Sequence, residues 1–215
     1  MKVNKTDNLN FGTNIKVVSP RFYKFKTNDM FSNKNCKFID YWEIKPCDEY
    51  IKNGLYAYRN NVESGFTNNI RSCTAGIISN KKEKASLFFH IFNSAKNLQD
   101  LEILKKFFKG NNAILVGSKE NVPFSTEIFE ELKNRAIKNN LPLTILQSLK
   151  KRLEANLAYD SHKDTLFMCV NDVLDKHQYV ESMDELKEAF KTVNISDADN
   201  IKFLSRYEEE FLRFV

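Results

Sequence analysis

The most informative pattern of apolar and polar positions covers residues 67–90, TNNIRSCTAGIISNKKEKASLFFH. Two apolar runs, Gly76–Ile78 and Leu87–Phe89, stand on either side of the charged stretch NKKEK. This pattern predicts two antiparallel strands joined by a turn. Residues near the open end of a hairpin approach one another. We therefore expect Cys73, which enters the first strand, and His90, which ends the second, to be neighbours.

The chain before this hairpin has weaker patterns. Segments 15–18 and 22–25 alternate weakly between apolar and polar residues and are expected either as edge strands or as parts of a loosely packed arm. Short strands are also expected within residues 36–60, at Phe38-Ile39, Tyr41-Trp42, Ile44 and 55–58.

Helices and strands alternate after the hairpin. Apolar residues at three- and four-residue spacing predict amphipathic helices over 94–109 and about 126–139, with Ser94 placed to cap the first. Continuous apolar runs predict buried strands. The polar stretch 160–164 predicts a turn between two more strands. The expected strands are 113–117, 143–146, 157–159 and 165–170.

The pattern changes again from Asp172 onwards. Ser182–Glu185 is a capping box that predicts a helix reaching about Lys191. A second helix is expected to open at 196–199 and to run to the end of the chain. Its apolar stripe either packs on the domain or holds a partner helix; the stripe consists of Ile201, Leu204, Phe211 and Leu212.

This order of elements predicts an α+β fold, in which two helices cover one face of a layered mixed β-sheet or sandwich. Residues 50–171 are expected to form the domain, 1–49 an N-terminal arm with short strands, and 172–215 a C-terminal helical tail packed on the domain. A chain of 215 residues suits one such domain, and a 42% share of hydrophobic residues can build its core.

Composition narrows the classes of function. The net charge of +5 is modest and acidic residues are interleaved throughout, so nucleic-acid binding is not expected. No apolar run reaches the ~18 residues of a membrane span. The N-terminus lacks the apolar core of a cleavable signal peptide. We therefore expect a cytoplasmic protein, or one delivered by a specialised secretion system.

The four cysteines, Cys36, Cys47, Cys73 and Cys169, form no CxxC pair, and the chain has only three histidines. A zinc site is therefore not expected. Because a domain of this size does not need disulfides, free thiols in a reducing compartment are favoured.

Cys73 and His90 are the residues best placed for chemistry. An imidazolium near a thiol stabilises the nucleophilic thiolate, and the imidazole can then act as a general acid. Thr67 is the candidate for orienting His90, and the backbone around Ser72 and Thr74 is the candidate oxyanion support. The structural alternative is that Cys73 is a small buried hydrophobe and His90 a core or rim residue.

The spacing Thr-x5-Cys-x16-His, at Thr67, Cys73 and His90, resembles the CheD family of chemotaxis-receptor glutamine deamidases. The resemblance covers roughly residues 50–171 and implies a Cys-His-Thr triad at these positions. Three features differ from the family: Arg71 replaces a glycine, 91–93 replaces a Met-Leu-Pro stretch, and Gly117-Ser118 replaces Gly-Gly. The same fold and Cys-His pair occur in toxins such as the cytotoxic necrotising factors, which favours a bacterial effector or toxin acting on a host protein.

The resemblance implies deamidation of a glutamine in a protein substrate through a thioester, without cofactor or metal. An amine in place of water would give transglutamination. Two alternatives remain open: a catalytically inactive deamidase-like module that binds a partner protein, and a cysteine amidase or protease.

Overall fold

A computed structural model describes these residues: 12–32, 35–39, 54–57, 60–80, 85–102, 104, 110, 112–195 and 200–214. Its elements are, in chain order, β1 Asn14–Val17, α1 Pro20–Ser32, β2 Cys36–Phe38, β3 Gly54–Ala57, β4 Asn60–Val62, β5 Ser64–Ile70, β6 Thr74–Asn80, β7 Ala85–Ile91, α2 Ala95–Asp100, β8 Asn112–Gly117, α3 Ser125–Lys138, β9 Leu143–Leu149, β10 Leu153–Asp160, β11 Thr165–Asp172, α4 Met183–Ala189, β12 Phe190–Ile195, β13 Ile201–Phe203 and α5 Arg206–Phe214.

Within these residues the strands form two sheets. Sheet I has the strand order β13-β1-β11-β10-β5-β2, and sheet II has the order β12-β9-β8-β6-β7-β3-β4. Each sheet is mixed: β1 and β8 pair in parallel with β11 and β9, whereas β10 and β6 pair antiparallel with β11 and β7. The expected α+β class with a layered mixed sheet is therefore confirmed.

The core fills the space between the two sheets. Alternate residues of each strand point inward, as the two-residue period of a strand requires. Ile77 and Phe88 of sheet II pack against Leu157 and Tyr159 of sheet I. The Phe88 and Tyr159 ring centroids are 6.3 Å apart. Each such buried side chain contributes about 1.5–3 kcal/mol of transfer free energy, so this layer contributes substantially to the stability of the sandwich.

Two helices cover the outer face of sheet II, as expected. The apolar stripe of α3 packs there with the residues that follow α2. Ser94 caps α2, because its Oγ accepts the Asn97 N–H at 3.0 Å. Most of the last turns of the helix expected over 94–109 lie outside the described residues. The buried side chains of this layer include Ile78, Phe89, Leu101, Leu104, Ile128, Phe129 and Leu132.

The outer face of sheet I is covered by α1, which the sequence pattern did not predict. Residues 22–25, expected as a strand or arm, lie inside this helix, and Phe22 and Tyr23 pack on the sheet. Ser19 and Pro20 explain the correction: the Ser19 Oγ accepts the Phe22 N–H at 3.1 Å, and proline suits the first helical position. β1 forms as expected, but it lies between β13 and β11 and is not an edge strand.

The predicted strands fit the structure to different degrees. β8, β9 and the β10–β11 hairpin form where apolar runs indicated them. β2 and β3 lie within 36–60, whereas the strands expected at Tyr41-Trp42 and Ile44 fall outside the described residues. No helix among the described residues is both long and apolar enough to cross a membrane.

The segment 172–215, expected to be helical, contains two strands as well as two helices. The Ser182 cap is confirmed, since its side chain accepts the Glu185 N–H, but α4 ends at Ala189. β12 then pairs with the free edge of β9, and β13 pairs with β1. The final helix begins at Arg206, not at 196–199, and Ile201 belongs to a strand. Edge pairing with distant strands thus overrides the helical pattern.

Candidate active site

The hairpin expected around Cys73 and His90 forms as β6 and β7. Ala75 lies opposite His90, and Thr74 opposite Ile91. Extending the same register by one residue pair places Cys73 opposite Phe92. Cys73 and His90 are then diagonal neighbours at the open end of the hairpin. In an antiparallel pair this relationship brings residues to roughly 7–8 Å, within reach of longer side chains.

His90 points from sheet II toward sheet I and meets Thr67. The Thr67 Oγ1 lies 2.7 Å from the His90 Nδ1, and both residues are buried, at 0% and 1% exposure. A threonine hydroxyl can donate to or accept from this nitrogen. When it accepts the Nδ1 proton, it leaves Nε2 as the basic nitrogen of the ring. The Nε2 atom is buried as well.

A β-bulge places Thr67 at this position. Thr67 pairs with Leu157, but Ile70 pairs with Ala155, so β5 has one extra residue over this interval. Asn69 takes a left-handed φ of 59°. Its N–H donates to the Asn156 Oδ1 at 3.0 Å. The Asn-Asn pair after Thr67 was the sequence signal for this bulge, because asparagine tolerates left-handed backbone better than most residues.

Tyr23 holds the same bulge from the other side of sheet I. Its hydroxyl lies 3.1 Å from the Thr67 carbonyl oxygen, 2.8 Å from the Asn68 Oδ1 and 3.0 Å from the Leu157 carbonyl oxygen. Burial raises the pKa of Tyr23 well above its ordinary value, so the hydroxyl stays protonated and remains a donor. Sequence reasoning missed this residue because it did not predict α1.

The backbone on either side of Cys73 is held by the segment that joins β8 to α3. The Ser118 N–H donates to the Cys73 carbonyl oxygen at 3.0 Å. The Ser125 hydroxyl donates to the Ser72 carbonyl oxygen at 2.5 Å and accepts the Lys119 N–H at 2.7 Å. The sequence pattern did not indicate these contacts of Ser118 and Ser125, since the contacts depend on the pairing of β6 with β8.

Gly117 makes this close approach of the two segments possible. Its φ is +118°, and a Cβ at this position would lie 2.2 Å from the Cys73 carbonyl oxygen. The glycine is therefore required both by its backbone conformation and by the space available.

The two residues expected as oxyanion support are placed differently from each other. Ser72 contributes its carbonyl to the contact with Ser125. Thr74 is buried. Because side chains alternate along a strand, the Thr74 side chain lies on the opposite face of β6 from Ala75, toward the helices that cover sheet II. Its Oγ1 has no hydrogen-bond partner within the described residues. Any contribution of Thr74 to the site would therefore come from its backbone.

The other described cysteines lie in different surroundings. Cys73 is 8% exposed. Cys169 is buried in β11, and burial raises its pKa to about 12. Burial also raises the pKa of Cys36. Cys47 lies outside the described residues. Cys169 is therefore held as the thiol at neutral pH, which makes it an internal reference for Cys73.

A buried carboxylate lies beside the segment that leads to Cys73. Arg71 contacts the Glu154 Oε2 at 3.2 Å, and Lys176 pairs with the other oxygen. Burial by itself would raise the pKa of Glu154. The hydrogen bonds from Lys176 and Arg71 outweigh burial, and the pKa is lowered. Arg71 thus anchors the segment that leads to Cys73.

Comparison of the chain with models of protein families and with curated proteins gave no match. Among the described residues, no group of three or more His, Cys, Asp or Glu side chains is arranged to hold a metal ion.

Proposed function

We propose that this protein is a protein-glutamine deamidase, in which Cys73 is the nucleophile, His90 the acid-base residue and Thr67 the residue that orients His90. The observation that carries the proposal is the buried hydrogen bond of 2.7 Å between Thr67 and His90. A histidine held through one ring nitrogen presents the other in a defined orientation and protonation state, which is what a cysteine nucleophile needs from its base.

The reaction follows from these roles. The Cys73 Sγ gives up its proton to His90 and attacks the carboxamide carbon of a glutamine side chain. The C–N bond then breaks, His90 protonates the departing nitrogen, and ammonia leaves a thioester on Cys73. Water, activated by His90, attacks the thioester, and the C–S bond breaks to give glutamate and the free thiol. No oxidant, reductant or cofactor enters the balance.

The backbone around Cys73 supports this chemistry. Developing negative charge on the carboxamide oxygen is best stabilised by donors that are already in place. The contacts from Ser118 and Ser125 to the carbonyls of Cys73 and Ser72 fix the peptide planes next to the nucleophile. The low exposure of Cys73 favours a long, unbranched substrate side chain such as glutamine.

Release of ammonia from casein tests the proposal, together with mass spectrometry of the casein peptides. The wild-type protein is expected to release ammonia and to convert glutamine to glutamate, whereas Cys73→Ser and His90→Ala are inactive and Cys169→Ser remains active. Equal release of ammonia by wild type and Cys73→Ser would overturn the proposed function. An added primary amine that becomes attached to glutamine would indicate transglutamination, and peptide-bond cleavage would indicate a protease.

A second candidate function is a deamidase-like module that binds a partner protein without catalysis. The observation that favours it is the exposure of three aromatic side chains on α5, Tyr207, Phe211 and Phe214, at 79%, 59% and 89%. This candidate predicts that Phe211→Ser with Phe214→Ser abolishes partner capture, while Cys73→Ser is as effective as wild type. Loss of the cellular effect in Cys73→Ser alone would contradict it.

A further inference from the structure

A concave site is present elsewhere in the molecule, and Thr67, Cys73 and His90 do not line it. It is a cleft of ≈640 Å³ between the start of α1, the segment 176–179 and α5. Cationic side chains from all three segments line it, namely Arg21, Lys24, Lys176, Arg206 and Arg213. We propose that this cleft binds a small molecule that carries two or more phosphate groups.

The positive charges of the cleft are only partly balanced by the protein. Within the described residues, Arg21 and Lys24 form no ion pair. Arg206 forms no ion pair there either. The Arg213 guanidinium lies over the Phe25 ring at 5.2 Å from its centroid, and its buried Nε has no hydrogen-bond acceptor among the described residues. These four cations therefore have no carboxylate partner in the described part of the chain.

Two carboxylates also line the cleft, but one of them is already engaged. The Glu209 Oε1 accepts the Ser19 N–H at 2.6 Å, and its Oε2 accepts the Ser19 hydroxyl at 2.6 Å. Glu209 thus neutralises the start of α1 and attaches α5 to it. Glu210 is the remaining acid, so the cleft has an excess of positive charge.

The kind of ligand follows from the shape and chemistry of these groups. Guanidinium groups match phosphate oxygens in a two-pronged geometry and are favoured for phosphate recognition. A single phosphate would leave most of the cations unpaired, whereas several phosphates on one scaffold would engage them. The volume falls within the range typical of small-molecule sites, and Pro20 and Tyr179 offer apolar surface to the scaffold.

Isothermal titration calorimetry with inorganic pyrophosphate and with inositol hexakisphosphate tests this inference on the full chain. Binding to wild type is expected, tighter for the hexakisphosphate and weaker as salt is raised. Arg21→Gln with Arg213→Gln should weaken binding at least about tenfold, since two charge-assisted contacts are lost. The double variant Arg21→Gln with Lys24→Gln provides the same test without disturbing the packing of Arg213 on Phe25.

The matched control is Lys150→Gln with Lys151→Gln, which removes the same charge from an exposed turn outside the cleft. Its affinity should equal that of wild type. An equal loss in the control, or no difference between wild type and both cleft variants, would overturn the proposal.

The same phosphates could belong to a free metabolite or to a lipid headgroup. Phosphatidylcholine vesicles with and without phosphatidylinositol bisphosphate distinguish these sources: binding to the bisphosphate vesicles alone assigns a lipid, and binding to inositol hexakisphosphate assigns a free ligand. Binding to none of the probes would refute the site. All cleft variants should keep the wild-type rate of Cys73 alkylation, so the outcome is independent of the proposed deamidase function.

Discussion

The hydroxyl of Thr67 and the Nδ1 of His90, 2.7 Å apart, join the two sheets of the sandwich at a buried point. Thr67 belongs to β5 of sheet I and His90 to β7 of sheet II. The orientation of the imidazole therefore depends on how the two sheets are stacked. Both the stability of the protein and the reactivity of the site should change when this hydrogen bond is removed.

Thr67→Val removes the hydroxyl but keeps the shape of the side chain. We expect the alkylation rate of Cys73 to fall by about one order of magnitude, because His90 loses its defined orientation. We also expect the free energy of unfolding to fall by about 1–3 kcal/mol, since a buried ring nitrogen loses its partner. Alkylation mapped by mass spectrometry and urea unfolding measure the two effects.

Thr67→Ser is the matched control, because it keeps the hydroxyl and loses only a methyl group. Its Cys73 should be alkylated at nearly the wild-type rate. If serine and valine slowed the reaction equally, packing and not the hydrogen bond would account for the role of Thr67.

Gly117→Ala should damage both the site and the fold. The added Cβ would lie 2.2 Å from the Cys73 carbonyl oxygen, at a φ of +118° that alanine rarely adopts. We expect a loss of about 1–3 kcal/mol in unfolding free energy and slower alkylation of Cys73. Asn121→Gly is a control in the same connection: its φ is 62°, so glycine should leave stability unchanged or slightly higher.

Cys169 should be unreactive in the native protein. Burial raises its pKa to about 12 from an ordinary value of 9.0. The native state therefore holds the proton more tightly than the unfolded chain does. The contribution of the buried Cys169 thiol to the free energy of unfolding is complete below pH 9 and is lost as the pH rises from 9 toward 12. Native Cys169 should resist iodoacetamide at pH 8 and react in urea; rapid native labelling would contradict its burial.

The parts of this architecture that were predictable from the sequence are those encoded by neighbouring residues. The apolar runs on either side of NKKEK predicted the hairpin, and the spacing of α3 predicted its buried face. The start of α1 was also encoded, by Ser19 and Pro20, but the weak alternation over 22–25 obscured it. Short-range patterns are reliable where the partner element is adjacent in the chain.

Contacts between distant segments were not predictable in the same way. β12 and β13 form because the edges of β9 and β1 are available to them, which no local pattern records. Ser118 and Ser125 reach the backbone around Cys73 only because β8 pairs with β6. Thr67 could be proposed from spacing, but the bulge that directs it toward His90 depends on its register with β10.

Glu154 should make the stability of the protein depend on pH in acid. Its side chain is 2% exposed and paired with Arg71 and Lys176, which lower its pKa from an ordinary value of 4.5. The folded state therefore favours the carboxylate, and this contribution is present above pH 4.5 and is lost as the pH falls through the lowered pKa. Glu154→Gln should cost about 1–2 kcal/mol at pH 7, because two half-exposed cations lose a charged partner.

Urea unfolding of wild type and Glu154→Gln at pH 7 and pH 3 measures this dependence. The difference between the two proteins should shrink at pH 3, because the carboxyl of the unfolded chain is then protonated and the folded carboxylate loses part of its advantage. Glu120→Gln is the matched control, because Glu120 pairs with Lys191 and both side chains are more than half exposed. It should cost less than about 0.5 kcal/mol at either pH. A Glu154→Gln difference that is unchanged between the two pH values would mean that packing, and not charge, holds Glu154 beside Arg71.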